Sequence, residues 1–173
     1  MNQEQWLGQL RLVRSITLRA MDGLTEELAD LQPLGFSNTI RWQFGHILTV
    51  QETVITHFAG DPPLLDPALF RLFANGTRPA DWKQPPPPLS ELYRLLEEQG
   101  EAIRRIYVPR WEEPAVKPFR RLGHPLHTIG ELFAFSLHHE GIHVGQISCL
   151  RKAAELAAAG RSESGEALGA AIE

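Results

Sequence analysis

Two histidines near the C-terminal end of the chain, His139 and His143, are four residues apart. In an α-helix this spacing puts both imidazoles on one face, one turn apart, as shared binding of a metal ion requires. A helical histidine pair is weak support for a metal site by itself, because core and surface histidines with hydrogen-bond partners also show this spacing. The chemistry therefore depends on what surrounds the pair.

The pair lies in the middle of a predicted helix with one apolar face. Thr128 and Glu131 have capping-box spacing, which predicts the start of that helix. Burying the His139 and His143 imidazoles and the Gln146 amide without partners would cost roughly 1 to 3 kcal/mol for each group. A shared metal would satisfy both rings at once. Steps of three and four residues define the inward face as Leu132, Phe135, His139, Ile142 or His143, Gln146, Leu150 and Ala153.

The segment His139-Glu140-Gly141-Ile142-His143 also fits the zinc-peptidase pattern H-E-x-x-H, in which the glutamate is the general base. This zinc metallopeptidase interpretation ranks second. Such an enzyme needs a third ligand downstream, and the only candidates are Glu155, Glu163, Glu166 and Glu173, the last three in the expected loose tail. Upstream of the helix, no pattern indicates the strands that would bind a peptide substrate.

Four long amphipathic segments are expected to position these residues. The first helix runs from Trp6 to before Pro33, and the second, capped by Ser37 or Asn38, runs to about Phe58. A Ser90 cap starts the third, which ends by Pro109, and the fourth fades after Ala159. Without an alternating strand pattern, the sequence predicts an all-α four-helix bundle with a long crossover between helices 2 and 3.

The crossover, residues 60–88, is rich in proline and glycine and contains a short helix that starts at Asp66-Pro67. Its apolar residues favour a packed cover over a site. We expect the bundle to occupy residues 1–158 and a loose C-terminal tail to occupy residues 159–173.

Composition excludes several classes of protein. The net charge of −4 gives no general attraction to nucleic acid or to an anionic membrane. No apolar run is long enough to span a bilayer, and the first six residues do not resemble a signal peptide. The single cysteine, Cys149, excludes an internal disulfide framework and is expected to be a packed thiol. We therefore expect a cytoplasmic protein.

Two motifs together resemble the DinB/YfiT-like superfamily of four-helix metal-dependent enzymes. They are Trp42-x-x-x-His46 on the second helix and His139-x-x-x-His143-x-Gly145-Gln146-Ile147 on the fourth. The order of helices, with the long second connection, extends the resemblance over residues 1–158.

The resemblance implies that His46, His139 and His143 bind a divalent metal ion, commonly zinc or nickel. It also implies a small-molecule substrate, either a hydrolase or a thiol-dependent transferase reaction with a low-molecular-weight thiol, and a homodimer. Three histidine ligands leave a coordination position open, as catalytic metal sites do. The alternative from a different class is a non-catalytic helical interaction module whose histidines make core hydrogen bonds.

Several neighbouring residues carry further expectations. Trp42 would wall the pocket, with Gln146 beside it, or would be a plain core tryptophan. Glu140 lies on the flank of the site, either as a group that orients a ligand or as a solvated side chain. The glycines beside the ligands, Gly45, Gly141 and Gly145, suggest close approach of other helices.

Two groups of charged residues are interpreted as solvated. On the first helix these are Arg11, Arg14, Arg19, Glu26 and Glu27. In the connection from Val108 to His127 they are Arg110, Lys117, Arg120 and Arg121, which could instead attract an anionic substrate group.

Overall fold

The computed structural model describes the backbone of residues 2–169 and the side chains of residues 2–160. The described chain is mostly helical, with one two-stranded sheet. Its α-helices are α1 Gln3–Arg19, α2 Glu26–Asp30, α3 Ile40–Glu52, α4 Pro67–Phe73, α5 Leu89–Ile106 and α6 Ile129–Gly169. Its strands are β1 Pro114–Arg121 and β2 His124–Thr128, and short 3₁₀ helices lie at Pro79–Asp81 and Val108–Arg110. Among the described residues, every helix is too short or too polar to cross a bilayer.

Helix α3 lies at the centre of the fold and is buried along nearly its whole length. It packs against α4, α5 and α6, while α1 packs against α5 and α6. Thr39 caps α3 by accepting a hydrogen bond from the Trp42 amide, so the cap is one or two residues later than the sequence predicts. The main core consists of apolar side chains from these helices, including Phe44, Ile47, Leu48, Phe73, Leu92, Leu96 and Ile147.

The end of α3 changes from α-helical to π-helical geometry over Thr53–His57. Such segments are rare and occur often beside functional sites. The connection that follows contains α4, which starts at Pro67 with Asp66 as its N-cap, as predicted. Because Leu69, Leu72 and Phe73 of α4 are buried, this connection is packed into the core.

The first predicted helix is two helices. Helix α1 ends at Arg19, and Thr25 starts α2 by accepting a hydrogen bond from the Leu28 amide. Met21 and Ala29 remain in the core across the break, which is why the apolar repeat looks continuous in the sequence. The prediction of a Ser90 cap is also wrong: α5 starts at Leu89, whose amide donates to Glu26 Oε1 at 2.9 Å.

The described chain is mostly helical, as expected, but residues 114–128 form an antiparallel hairpin that the sequence did not predict. Arg121 pairs with His124 across a two-residue turn, in which Leu122 and Gly123 have φ values of 50° and 84°. Positive φ at both central residues is the pattern of a type I′ turn, which Asn-Gly or Asp-Gly normally signals. Since leucine occupies the first position here, the sequence lacks that signal.

Helix α6 begins as predicted, with a reciprocal cap between Thr128 and Glu131. The Glu131 amide donates to Thr128 Oγ1 at 3.2 Å, and the Thr128 amide donates to Glu131 Oε2 at 3.1 Å. The helix continues to Gly169, beyond the predicted end at Ala159. Residues 170–173 of the expected tail lie outside the described residues, and the domain boundary at 158 remains a prediction.

Candidate metal centre

Three histidines from two helices meet between α3 and α6. His46 is buried on α3, and the half-buried His139 and His143 are one turn apart on α6. The ring centroid of His46 lies 5.2 Å from that of His139 and 4.7 Å from that of His143. Each residue offers a ring nitrogen, and these nitrogens all lie within 4.8 Å of one another.

Two of the imidazoles are oriented by hydrogen bonds from their outer nitrogens. His46 Nδ1 donates to the Phe73 carbonyl at 2.8 Å, and His143 Nδ1 donates to Gln43 Oε1 at 2.5 Å. Each oxygen accepts, so each Nδ1 carries the proton and the Nε2 lone pair is left free. This arrangement, with an oxygen acceptor behind each ring, is typical of metal-binding histidines.

The inner nitrogens are close enough to share one ion. His139 Nε2 and His143 Nε2 are 3.1 Å apart. Zinc–nitrogen bonds of about 2.0–2.1 Å in a tetrahedral site place two ligand nitrogens roughly 3.3 Å apart. The donor set and its spacing therefore fit a divalent metal ion.

Burial keeps all three imidazoles neutral. It is the largest cause of the low pKa of His139, about 3, and a proton on His143 or His46, together with the charge of Arg121, would oppose protonation further. Burial, and the repulsion that a proton on His46 would exert, lower the pKa of His143 to about 4. Burial also lowers the pKa of His46, despite the opposing hydrogen bond to Phe73. Neutral imidazole is the form that binds metal, so protons do not compete for these ligands at pH 7.

The profile of the DinB superfamily matches residues 9–147, which is most of the chain and includes all three histidines. The chain belongs to the DinB superfamily. No curated protein matches it.

In this member of the DinB superfamily, the Trp42 ring lies directly against one of the three histidines. Its ring stacks on the His46 imidazole with centroids 4.3 Å apart and planes inclined by 15°, and its Nε1 donates to Thr77 Oγ1 at 2.9 Å. Gln146 differs from the expectation. Its side chain is exposed to solvent and does not lie on a buried inward face.

Glu140 has a different environment from the one predicted. It is fully buried, and Arg14 Nε donates to its Oε1 at 3.0 Å. Thr17 Oγ1 donates to the same oxygen at 2.5 Å, and Gln51 Nε2 donates to Oε2 at 3.5 Å. Because α1 and α3 supply these partners, the carboxylate belongs to a buried ion-pair network. This arrangement does not support the H-E-x-x-H interpretation, in which Glu140 would be a general base.

The three glycines beside the ligands differ in their surroundings. A Cβ on Gly45 would lie 2.3 Å from two ring carbons of Phe73, so this glycine does allow close approach, by α4. A Cβ on Gly141 or Gly145 would meet nothing within 4 Å. The expectation of close helix approach is therefore wrong for the two glycines of α6.

The remaining candidates lie outside the cluster. Cys149 is exposed, so the expectation of a packed thiol is wrong. His57, which the sequence places too far along the helix to join His46, is exposed on the π-helical segment. The other exposed histidines are His124, His127 and His138.

Sequence reasoning missed Gln43 and Phe73, which orient two of the histidines, and Arg14, which pairs with the buried Glu140. Gln43 lies one turn before His46 on α3, and that spacing could have identified it. Arg14, predicted to be solvated, is buried on the same face of α1 as Leu10 and Thr17, and their three- and four-residue spacing was the available signal. Phe73 acts through its backbone carbonyl, for which a sequence carries no signal.

Proposed function

We propose that this DinB-superfamily chain is a metal-dependent enzyme in which His46, His139 and His143 bind one divalent ion, zinc or nickel. The observation that carries this proposal is the convergence of ring nitrogens from a buried cluster in which Phe73 and Gln43 hold two outer nitrogens. Three neutral ligands leave at least one coordination position for a water or a substrate.

The residues around the ligands hold the rings in place. The Phe73 carbonyl and Gln43 fix the tautomers of His46 and His143, and the stacked Trp42 restricts rotation of the His46 ring. A bound divalent ion would supply Lewis acidity, lowering the pKa of a water toward about 7 or deprotonating a thiol. We therefore propose a hydrolase or a thiol-dependent transferase that acts on a small molecule.

We also propose the finer features of assembly. The four long helices α1, α3, α5 and α6 would form a four-helix bundle with the α3–α5 connection as its long crossover, since α1 and α3 each pack against α5 and α6. The family resemblance supports a homodimer, and a single, unpaired cysteine is compatible with the reducing cytoplasm.

The proposed activity can be tested on tag-free protein that is stripped of metal and reloaded with zinc or nickel. Hydrolysis of p-nitrophenyl esters and transfer of glutathione to an aryl halide would be measured for the parent, His46→Ala and His57→Ala. We expect an activity that requires metal, is absent in His46→Ala and persists in His57→Ala, where the lost histidine is exposed. Activity that survives chelation or the His46→Ala substitution would contradict the proposal.

A structural role for the metal predicts a different response to chelation. The binding energy of a structural ion is folding energy, so its removal would unfold the chain. Here the buried core extends well beyond the histidines, through α3, α4, α5 and α6. We therefore expect metal-free protein to keep its helical circular dichroism signal. Cooperative unfolding on chelation would favour the non-catalytic alternative.

A further inference from the structure

A cleft opens beside the histidine cluster. His46 and His139 both line it, and its volume is about 390 Å³, within the range of small-molecule sites. The cleft lies between α3 with its π-helical end, the residues after α4, the hairpin and α6. Its other lining residues are Thr49, Val50, Thr53, Val54, Phe58, Ala74, Asn75, Phe119, Arg121 and Phe135.

One side of the cleft is aromatic. The Phe119 ring centroid lies 5.2 Å from that of Phe58 and 5.1 Å from that of Phe135. Phe135 in turn lies 6.5 Å from His139, so the rings lead to the candidate metal centre. All three phenylalanines are half-buried, which leaves part of each ring available to an apolar ligand.

Arg121 adds a positive charge to this cleft. It lies two residues after Phe119 on β1, and since side chains alternate along a strand, both face the cleft while Arg120 faces away. Among the described residues, the Arg121 guanidinium has no hydrogen-bond or ion-pair partner. It is close enough to His139 to contribute to that residue's low pKa.

Negative charge does not offset this cation in the cleft. None of the described residues that line it is acidic. A second cation is nearby, since Lys117 Nζ lies 5.7 Å from the centroid of the Phe58 ring. A concave surface that carries charge of one sign attracts ligands of the opposite sign.

We propose that the cleft binds a small organic carboxylate with an aromatic or branched apolar body. Arg121 would bind the carboxylate, for which its planar fork of donors is suited, and Phe58, Phe119 and Phe135 would contact the apolar body. The substrate class rests on the proposed function, because it places this acid beside the metal-binding histidines. The connection that contains Arg121 is thus more than a solvated basic segment.

Two probes of nearly the same shape, 3-phenylpropanoate and its neutral amide 3-phenylpropanamide, separate charge recognition from apolar binding. Their dissociation constants would be measured by NMR titration for the parent, Arg121→Gln and Arg120→Gln. We expect the parent to bind the acid about tenfold more tightly than the amide, as one charge-assisted contact provides. Arg121→Gln should lose that preference with amide binding unchanged, and Arg120→Gln should keep it.

Each other result would overturn the proposal. No preference for the acid in the parent, or an unchanged preference in Arg121→Gln, would exclude Arg121 as the carboxylate site. Equal losses in both variants would indicate a general effect of surface charge. Both arginines are exposed, so the variants should melt as the parent does.

Titrations with metal-free and metal-loaded protein distinguish this proposal from the proposed function. Failure of the metal site appears in the metal content of the protein, whereas the acid preference of Arg121 is measured in both states. An Arg121-dependent preference in protein that binds no metal would support the anion site and contradict the metalloenzyme.

Discussion

Replacing Gly45 by alanine should weaken both the fold and the metal centre, because one side chain connects them. The added Cβ would lie 2.3 Å from the Cγ and Cδ1 atoms of Phe73, whereas ordinary contact begins at 3.4 Å. Phe73 is fully buried, and its ring packs edge-on against Trp82 with centroids 5.5 Å apart, so it has little room to move. Its carbonyl is the acceptor that orients His46.

The expected loss of folding stability in Gly45→Ala is the net result of two opposing effects. Overpacking of this kind costs about 3 kcal/mol, at the upper end of the usual range, because the obstacle is a fixed ring. Replacing a glycine by alanine inside a helix stabilises that helix by about 1 kcal/mol. The net loss of about 2 kcal/mol corresponds to a fall of roughly 4 to 8 °C in the melting temperature of a chain of this size. Displacing the His46 acceptor should weaken metal binding about 10- to 100-fold.

Thermal melts of metal-free protein and a competitive zinc titration would measure the two effects. Gly141→Ala and Gly145→Ala are matched controls, because their added Cβ atoms would meet nothing within 4 Å. They should raise the melting temperature by about 2 to 4 °C through helix propensity alone. If Gly45→Ala behaved as these controls do, with unchanged zinc affinity, the proposed coupling through Phe73 would be refuted.

Two further predictions concern buried charge. Glu140→Gln should destabilise the fold by about 3 to 5 kcal/mol, because it leaves the buried Arg14 without its anion. The metal content of the variant should not change. Loss of metal from a folded variant would contradict the placement of Glu140 outside the metal centre. Metal-free protein should also lose stability as the pH falls below about 6.5. In the unfolded chain, His139 and His143 bind protons near that pH. In the folded chain their pKa values are about 3 and 4, so the folded state binds those protons only at lower pH. Melts from pH 7.5 to 4.5 should show a weaker pH dependence for His143→Ala, and an unchanged dependence would exclude that imidazole as a cause.

Local patterns in the sequence were sufficient to predict the part of the site that lies on a single helix. The spacing of His139 and His143, and the Thr128 cap that starts their helix, depend only on helical periodicity and short-range hydrogen bonds. The prediction that His46 lies beside them depended on the family resemblance, because spacing within one helix does not identify a residue on another helix. The cluster in the structure agrees with that expectation.

Other features depend on contacts between distant parts of the chain. Arg14 and Glu140 are 126 residues apart, and each alone resembles a solvated helix charge. The hairpin lacks the usual asparagine or aspartate at its first turn position, where Leu122 adopts a positive φ that leucine seldom has. Gly45 and Gly141 each lie next to or near a candidate ligand in the sequence, but only at Gly45 would a Cβ meet Phe73. Such differences are set by packing, which a single sequence does not show.

The most direct test of the metal centre is the metal content of tag-free protein. Parent, His46→Ala and His57→Ala would be loaded with zinc, desalted and analysed for zinc per chain. Three converging histidines predict about one zinc per chain in the parent and in His57→Ala, and little in His46→Ala. Full zinc occupancy in folded His46→Ala, or no zinc in the parent, would contradict the three-histidine site.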